Sequence, residues 1–130
     1  MLALRIKKAV RNGATLVVAD PRKIWLTKLA KRHLQLRPGT DVWLINAIMH
    51  TILDEGLQDE EYIREHTEGF DQVREVVSRY TPEEAEKVTG VPAEAIRATA
   101  REYAAERHAA IFYTLGIRSE ERRVGKECRL

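Results

Sequence analysis

A chain of 130 residues, 44% hydrophobic and 32% charged, has the composition of an ordinary globular segment, which excludes a disordered or collagen-like chain and leaves room for one domain with a modest core. No apolar run approaches the roughly twenty residues that a membrane-spanning helix needs, and the amphipathic start at residues 2–8 carries lysines where a secretory signal would be continuously apolar, so a cytoplasmic segment without membrane insertion is expected. The single cysteine, Cys128, excludes an internal disulfide, and a formal net charge of +2 gives the whole chain no marked preference for nucleic acid.

Residues 2–11 follow helical spacing, with Leu4, Ala9 and Val10 among the packing positions, and Asn12-Gly13 stops the helix. Residues 15–19 contain a short β-branched run that fits a strand buried on both faces, and Asp20-Pro21 ends it with an acceptor and a residue lacking an N–H. Residues 24–32 predict a short helical segment, and His33-Leu34-Gln35-Leu36 alternates polar and apolar as a short or edge strand does. Pro38-Gly39 then turns the chain, and Thr40 or Asp41 caps a longer helix ending at Gly56. Its expected core stripe is Val42, Ile45, Ile48, Met49, Ile52 and Leu53. Short amphipathic helices are predicted over 59–66, 70–79 and 82–88, the last opening on Thr81-Pro82-Glu83-Glu84, a cap followed by proline and two acids. A final helix over 93–107 should turn Ile96, Ala100, Tyr103 and Ala104 inward, and residues 109–115 predict a closing strand. The alternation is that of an α/β fold, without repeats, low-complexity linkers or a second domain boundary.

The two early strands deliver polar loops to one place. Ligands of open α/β sheets gather outside the carboxyl ends of the strands, where an acid commonly accepts hydrogen bonds from a nucleotide. Asp20 is such an acid; the competing reading makes it a cap for the segment that follows. Arg22 and Lys23 read equally as ligands of an anion or as solvated surface. Gly39, Thr40 and Asp41 combine a close backbone approach with the free N–H groups of a helix start, and a simple cap is the alternative.

The loop Ala19-Asp20-Pro21-Arg22-Lys23, the turn Leu36-Arg37-Pro38-Gly39-Thr40-Asp41 and the stretch Glu61-Tyr62-Ile63-Arg64-Glu65-His66-Thr67-Glu68-Gly69-Phe70-Asp71 carry a resemblance. Over residues 2–117 the chain resembles the large subunit of molybdopterin guanine dinucleotide (bis-MGD) oxidoreductases, and within them the formate dehydrogenase alpha subunit. The loop around Asp20 favours formate dehydrogenase over nitrate reductase. This resemblance implies a partial Rossmann-like, dinucleotide-binding domain over residues 1–117, with parallel strands flanked by helices, in an enzyme that oxidises formate to CO2. It implies that Ala19, Asp20, Pro21, Arg22, Lys23, Gly39, Thr40 and Asp41 contact the guanosine end of one cofactor. The molybdenum or tungsten site with its Cys or selenocysteine ligand, its neighbouring His and Arg, and the 4Fe-4S cluster are implied for other parts of the full-length protein. None of their motifs is present, so no catalytic and no metal-binding residue is assigned, and the segment alone is expected to be inactive. The implied partners are the remainder of the large subunit and electron-transfer subunits. The chain also opens on a helix instead of a strand and glycine-rich turn, as an internal fragment would.

Residues 118–130 show no apolar period, and their sequence is what a common sequencing adapter encodes when read in frame. They are expected to be a non-family artefact; the alternative is a basic tail for nucleic acid. Without the tail's five basic and three acidic residues the body is neutral, yet residues 1–40 hold ten Lys or Arg against Asp20 alone, and residues 41–117 hold seven against sixteen acids. Such halves are expected to face each other or the rest of a larger protein in preference to forming a pyrophosphate surface. Lys7, Lys8, Lys28, Lys31 and Arg32 read as a solvated helix face.

His33, His50, His66 and His108 lack the short pairings of a metal site and are expected to be packing or surface residues. Trp25 and Trp43 are expected in the core or at an interface, and Asp59-Glu60-Glu61 reads as a helix start favoured by the macrodipole. A reading from another class remains, a stand-alone small α/β nucleotide-binding or interaction module without redox activity. The two differ in stability: a fragment with an orphan sheet edge aggregates or stays molten, whereas a module melts cooperatively.

Overall fold

The structure, a computed structural model, describes residues 2–113. Helix α1 (Leu2–Arg11) leads to strand β1 (Val17–Ala19), and a single 3-10 turn (Trp25–Lys28) connects β1 to strand β2 (Arg32–Leu34). Five helices follow: α2 (Asp41–Asp54), α3 (Glu60–His66), α4 (Phe70–Val77), α5 (Pro82–Thr89) and α6 (Ala93–Ala105). The strands pair in parallel, Val17 with Arg32, Val18 with His33 and Ala19 with Leu34. The expected α/β layout of parallel strands flanked by helices is therefore present, with two strands among the described residues.

Local chemistry explains most boundaries. The Asp59 carboxylate accepts the Tyr62 N–H at 2.9 Å and starts α3, and the Thr81 hydroxyl accepts the Glu84 N–H at 3.3 Å to start α5, with Pro82 in its first turn. Gly90 ends α5 at φ +77°, a left-handed conformation that other residues adopt only at a cost. The Glu86 carboxylate then accepts the Ala93 N–H at 2.9 Å, serving the start of α6, where Pro92 has no side-chain cap to offer.

The core comprises Leu34, Leu36, Leu44, Ala47, Ala85, Val91 and Ile96, flanked by Val17, Trp43, Ile48 and Ala95. It lies where α2, α5 and α6 meet the end of β2. Alanines at the contact let the helix axes come close, and the buried threonines satisfy themselves: the Thr51, Thr89 and Thr99 hydroxyls donate to the carbonyls of Ala47, Ala85 and Ala95 at 3.0, 2.7 and 2.8 Å.

Several sequence expectations change. The buried face of α2 is Leu44, Ala47 and Thr51, while Val42 and Ile45 of the predicted stripe stand 41% and 37% exposed. Helix α2 is apolar on both sides, so its period could not choose between them. On α6, Ile96 and Ala100 face inward as expected, but Tyr103 is exposed and Thr99 takes its place. Residues 109–113 form no strand and pair with neither β1 nor β2; Ile111, Phe112 and Tyr113 are exposed. The remainder of that predicted strand and residues 118–130 lie outside the described residues. Arg32 belongs to β2, not to a solvated helix face: its guanidinium donates to Glu102 at 2.8 and 3.3 Å, and the Lys31 ammonium meets the same carboxylate at 2.6 Å. Here the basic first part of the chain does face the acidic second part.

Candidate functional site

Because β1 and β2 run parallel, the segments that follow them leave the sheet at the same end. The first is the loop of residues 19–23. The Asp20 carboxylate, about a fifth exposed, accepts the Arg22 backbone N–H through Oδ1 at 2.7 Å, and the Arg22 Nε reaches the same oxygen at 3.3 Å. The Arg22 backbone N–H above all holds the Asp20 carboxyl below its ordinary range; burial opposes it, and the Arg22 guanidinium assists. Asp20 is thus an ionised acceptor at neutral pH. No hydrogen bond from the described residues reaches its second oxygen, Oδ2. Arg22 and Lys23 project outward beside it and are exposed, Arg22 by 81% of its side chain. The Asp20 side chain does cap the loop through Arg22, so the capping and ligand readings of this residue are compatible.

His33 on β2 and Gln35 just after it shape this loop. His33 Nε2 donates to the Asp20 carbonyl at 2.8 Å, which places the ring proton on that nitrogen because a carbonyl only accepts. Gln35 Nε2 donates to the Pro21 carbonyl at 3.0 Å. The sequence reading treated His33 as a packing or surface residue and passed over Gln35. Their spacing of two along an alternating strand, opposite the end of β1, was the available signal.

The second segment is the turn of residues 36–41. Gly39 sits at φ +80°, and a Cβ built there would meet nothing within 4 Å, so open space lies over its backbone. Thr40 stands immediately before α2 without capping it through its side chain: its hydroxyl donates to the Arg37 carbonyl at 2.7 Å and closes the turn. The first N–H groups of α2 consequently have no side-chain acceptor among the described residues. Arg37, another residue the sequence reading did not single out, anchors the turn. Its backbone N–H donates to the Thr89 carbonyl at 2.9 Å, and its guanidinium donates to the Lys87 and Val88 carbonyls at 2.8 and 3.1 Å at the end of α5. The eight expected site residues therefore fall on two segments, each following a strand of the parallel sheet, and offer two carboxylates, two cations and open backbone.

The other singled-out residues have structural surroundings. Trp43 packs on the core and edge-on to Tyr80, with ring centroids 4.7 Å apart. His50 Nδ1 donates to the Val77 carbonyl at 3.2 Å and joins α2 to the end of α4, and His66 lies against Tyr62 at 4.5 Å. Trp25 is exposed on the 3-10 turn.

Comparison with known proteins bears on this arrangement. The family model described as molybdopterin oxidoreductase matches residues 1–124. The chain is 43% identical over 117 residues to the F420-dependent formate dehydrogenase 2 subunit alpha of Methanococcus maripaludis, a match covering 90% of this chain and 17% of that protein. It is 42% identical over 117 residues to formate dehydrogenase H of Escherichia coli, covering 90% and 16%. Among solved structures, acetylene hydratase from Pelobacter acetylenicus superposes with a TM-score of 0.82 at 32% identity, covering 85% of this chain and 15% of that one. The chain spans about a sixth of the length of the curated relatives it matches.

Proposed function

Since the chain belongs to the molybdopterin oxidoreductase family, we propose that it is the part of a formate dehydrogenase alpha subunit that receives the guanosine end of a molybdopterin guanine dinucleotide. The observation that carries this reading is the Asp20 carboxylate, ionised, held through Oδ1 and open at Oδ2, at the carboxyl end of β1. A guanosine is rich in N–H and O–H donors, and an oriented carboxylate is the acceptor that suits them. The exposed Arg22 and Lys23 supply positive charge for a neighbouring phosphate, and the uncovered backbone at Gly39 and the start of α2 supplies further N–H donors. Ala19 and Pro21 set the loop's path, and Asp41 follows the turn into α2.

When bound, the cofactor's molybdenum or tungsten supplies the two-electron chemistry of formate oxidation to CO2. These residues anchor and orient; they move no proton and bind no metal. The 4Fe-4S cluster, the metal ligands and the catalytic groups belong, in this reading, to the remainder of the large subunit, and electrons leave through partner subunits in the cytoplasm. The Methanococcus maripaludis relative is a subunit alpha, which supports partner subunits. Among the described residues no helix is long and apolar enough to cross a membrane. Formate is favoured over other family substrates by identity, 43% and 42% to the two formate dehydrogenases against 33% to an assimilatory nitrate reductase and 34% to an acetylene hydratase.

The test is Asp20→Asn in the full-length subunit. The amide keeps an acceptor for the Arg22 N–H but loses the charge and the second acceptor. Guanine nucleotide released by acid per subunit, and formate oxidation with it, should fall by about tenfold or more, the scale of a lost charge-assisted hydrogen bond. Wild-type cofactor content in this variant overturns the assignment.

A further inference from the structure

We propose that His33 and Gln35 are positioning residues for the guanosine site: together they clamp the 19–23 loop so that the Asp20 carboxylate meets its ligand already oriented. This inference rests on the guanosine reading above and adds the residues that make it work.

The argument begins with the strand pairing. Val18 lies beside His33 and Ala19 beside Leu34, so the regular ladder ends at Ala19, just before the acid. Beyond that point the backbone carbonyls of Asp20 and Pro21 have no strand partner. Side chains replace it: His33 Nε2 donates to the Asp20 carbonyl at 2.8 Å, and Gln35 Nε2 donates to the Pro21 carbonyl at 3.0 Å. Strand β2 ends at Leu34, and the Leu36 N–H donates back to the Leu34 carbonyl at 3.0 Å, so the chain turns at Gln35; from either side of Leu34 the two donors reach consecutive carbonyls as a pair. The Arg22 N–H then fixes the carboxylate from the far side at 2.7 Å. The loop is held at three successive residues, while its polar groups beyond Oδ1 remain open. Neither the His33 nor the Gln35 side chain has another hydrogen-bond partner among the described residues. Preorganisation of this kind removes the ordering cost that a free loop would levy on binding.

The experiment uses the full-length subunit prepared without cofactor, titrated calorimetrically with guanosine diphosphate, alongside hydrogen exchange of the peptide covering residues 20–24. His33→Leu and Gln35→Ala should each weaken guanosine diphosphate binding by about tenfold, the scale of a neutral hydrogen bond, and raise exchange in that peptide while the α2, α5 and α6 peptides stay unchanged. His33→Gln, which returns an N–H donor to the same reach, should recover binding to within about threefold of wild type. Gln35 is exposed, so Gln35→Ala tests the clamp even if the His33 variants fail to fold.

Wild-type affinity and exchange in His33→Leu or Gln35→Ala overturn the proposal. So does a His33→Gln variant as weak as His33→Leu, because the donor would then be irrelevant. If Asp20→Asn loses binding while the His33 and Gln35 variants keep it, the guanosine site stands and the clamp falls. If the wild-type subunit takes up no guanosine diphosphate, the guanosine assignment falls, and the exchange measurement alone decides whether the loop is clamped.

Discussion

Glu102 joins the two halves of the chain at a single carboxylate. It receives the Arg32 guanidinium through both oxygens and the Lys31 ammonium through one, and these contacts, the Arg32 hydrogen bonds first, lower it from its ordinary 4.5 to about 2. A carboxylate lowered on folding stabilises the folded state fully above its unfolded value, and loses that contribution as pH falls toward the folded one. The stabilisation from Glu102 should therefore be present above pH 4.5 and fade on acidification toward about pH 2. In thermal melts across this range, Glu102→Gln should lower the midpoint at neutral pH, and the two curves should converge in acid. A constant difference at every pH would assign the effect to packing. Asp20 carries a shift of the same sign, chiefly from the Arg22 backbone N–H, so its carboxylate too keeps its charge to lower pH than a free aspartate.

Two turns use left-handed glycines for different ends. Gly90, at φ +77°, closes α5 with the Arg37 guanidinium 3.6 Å from where its Cβ would stand, an ordinary contact. Gly39, at φ +80°, has open space there. Alanine at either position pays for backbone conformation, not for a clash, at about 1 kcal/mol, or roughly 4 °C in melting midpoint. The substitutions should separate on cofactor content: Gly39→Ala intrudes on the backbone expected to approach the nucleotide and should reduce bound guanine nucleotide, whereas Gly90→Ala should not. The Thr81 cap supplies a scale, since Thr81→Ala should cost about 1 kcal/mol. Equal nucleotide loss in both glycine variants would mean that the turn matters only as scaffold. At the end of α2, Glu55 accepts three close hydrogen bonds from Arg101, between 2.8 and 3.1 Å, tying that helix to α6.

For the molecule as a whole, burial is concentrated and incomplete. Leu34, Ala47, Ala85, Val91, Ile96 and Ala100 are at most 2% exposed, while α1 buries no residue and Leu4 is 69% exposed. An open apolar groove of about 250 Å³ runs between α2 and α4, lined by Met49, Val73 and Val76 among others. Ile96→Ala should cost about 2–5 kcal/mol, a large part of the 5–15 kcal/mol that stabilises a typical domain. Leu4→Ala, on the exposed helix, should change stability by less than about 0.5 kcal/mol. The isolated chain, with α1 and the groove uncovered, should bind a hydrophobic dye and melt over a broad range, and the full-length subunit should do neither. A sharp melt without dye binding would favour the stand-alone module.

The positions of the helices along the chain were readable from local chemistry: Asp59 and Thr81-Pro82 start helices, Gly56 and Gly90 stop them, and Asp20-Pro21 ends a strand. So was the polar loop after β1, because Asp20-Pro21 supplies a turn acceptor and a residue without an N–H, which together end a strand. What tertiary structure alone decided was direction and partnership. It selected Leu44, Ala47 and Thr51 as the buried face of α2 over Val42 and Ile45, turned the Thr40 hydroxyl to the Arg37 carbonyl instead of the helix, and set His33 against the Asp20 carbonyl. It also brought Arg32 to Glu102, 70 residues away along the chain. Periodicity and capping are properties of neighbouring residues and survive in any short window of sequence. A buried face or a distant hydrogen bond depends on which surface the rest of the chain presents, and no local window contains that information.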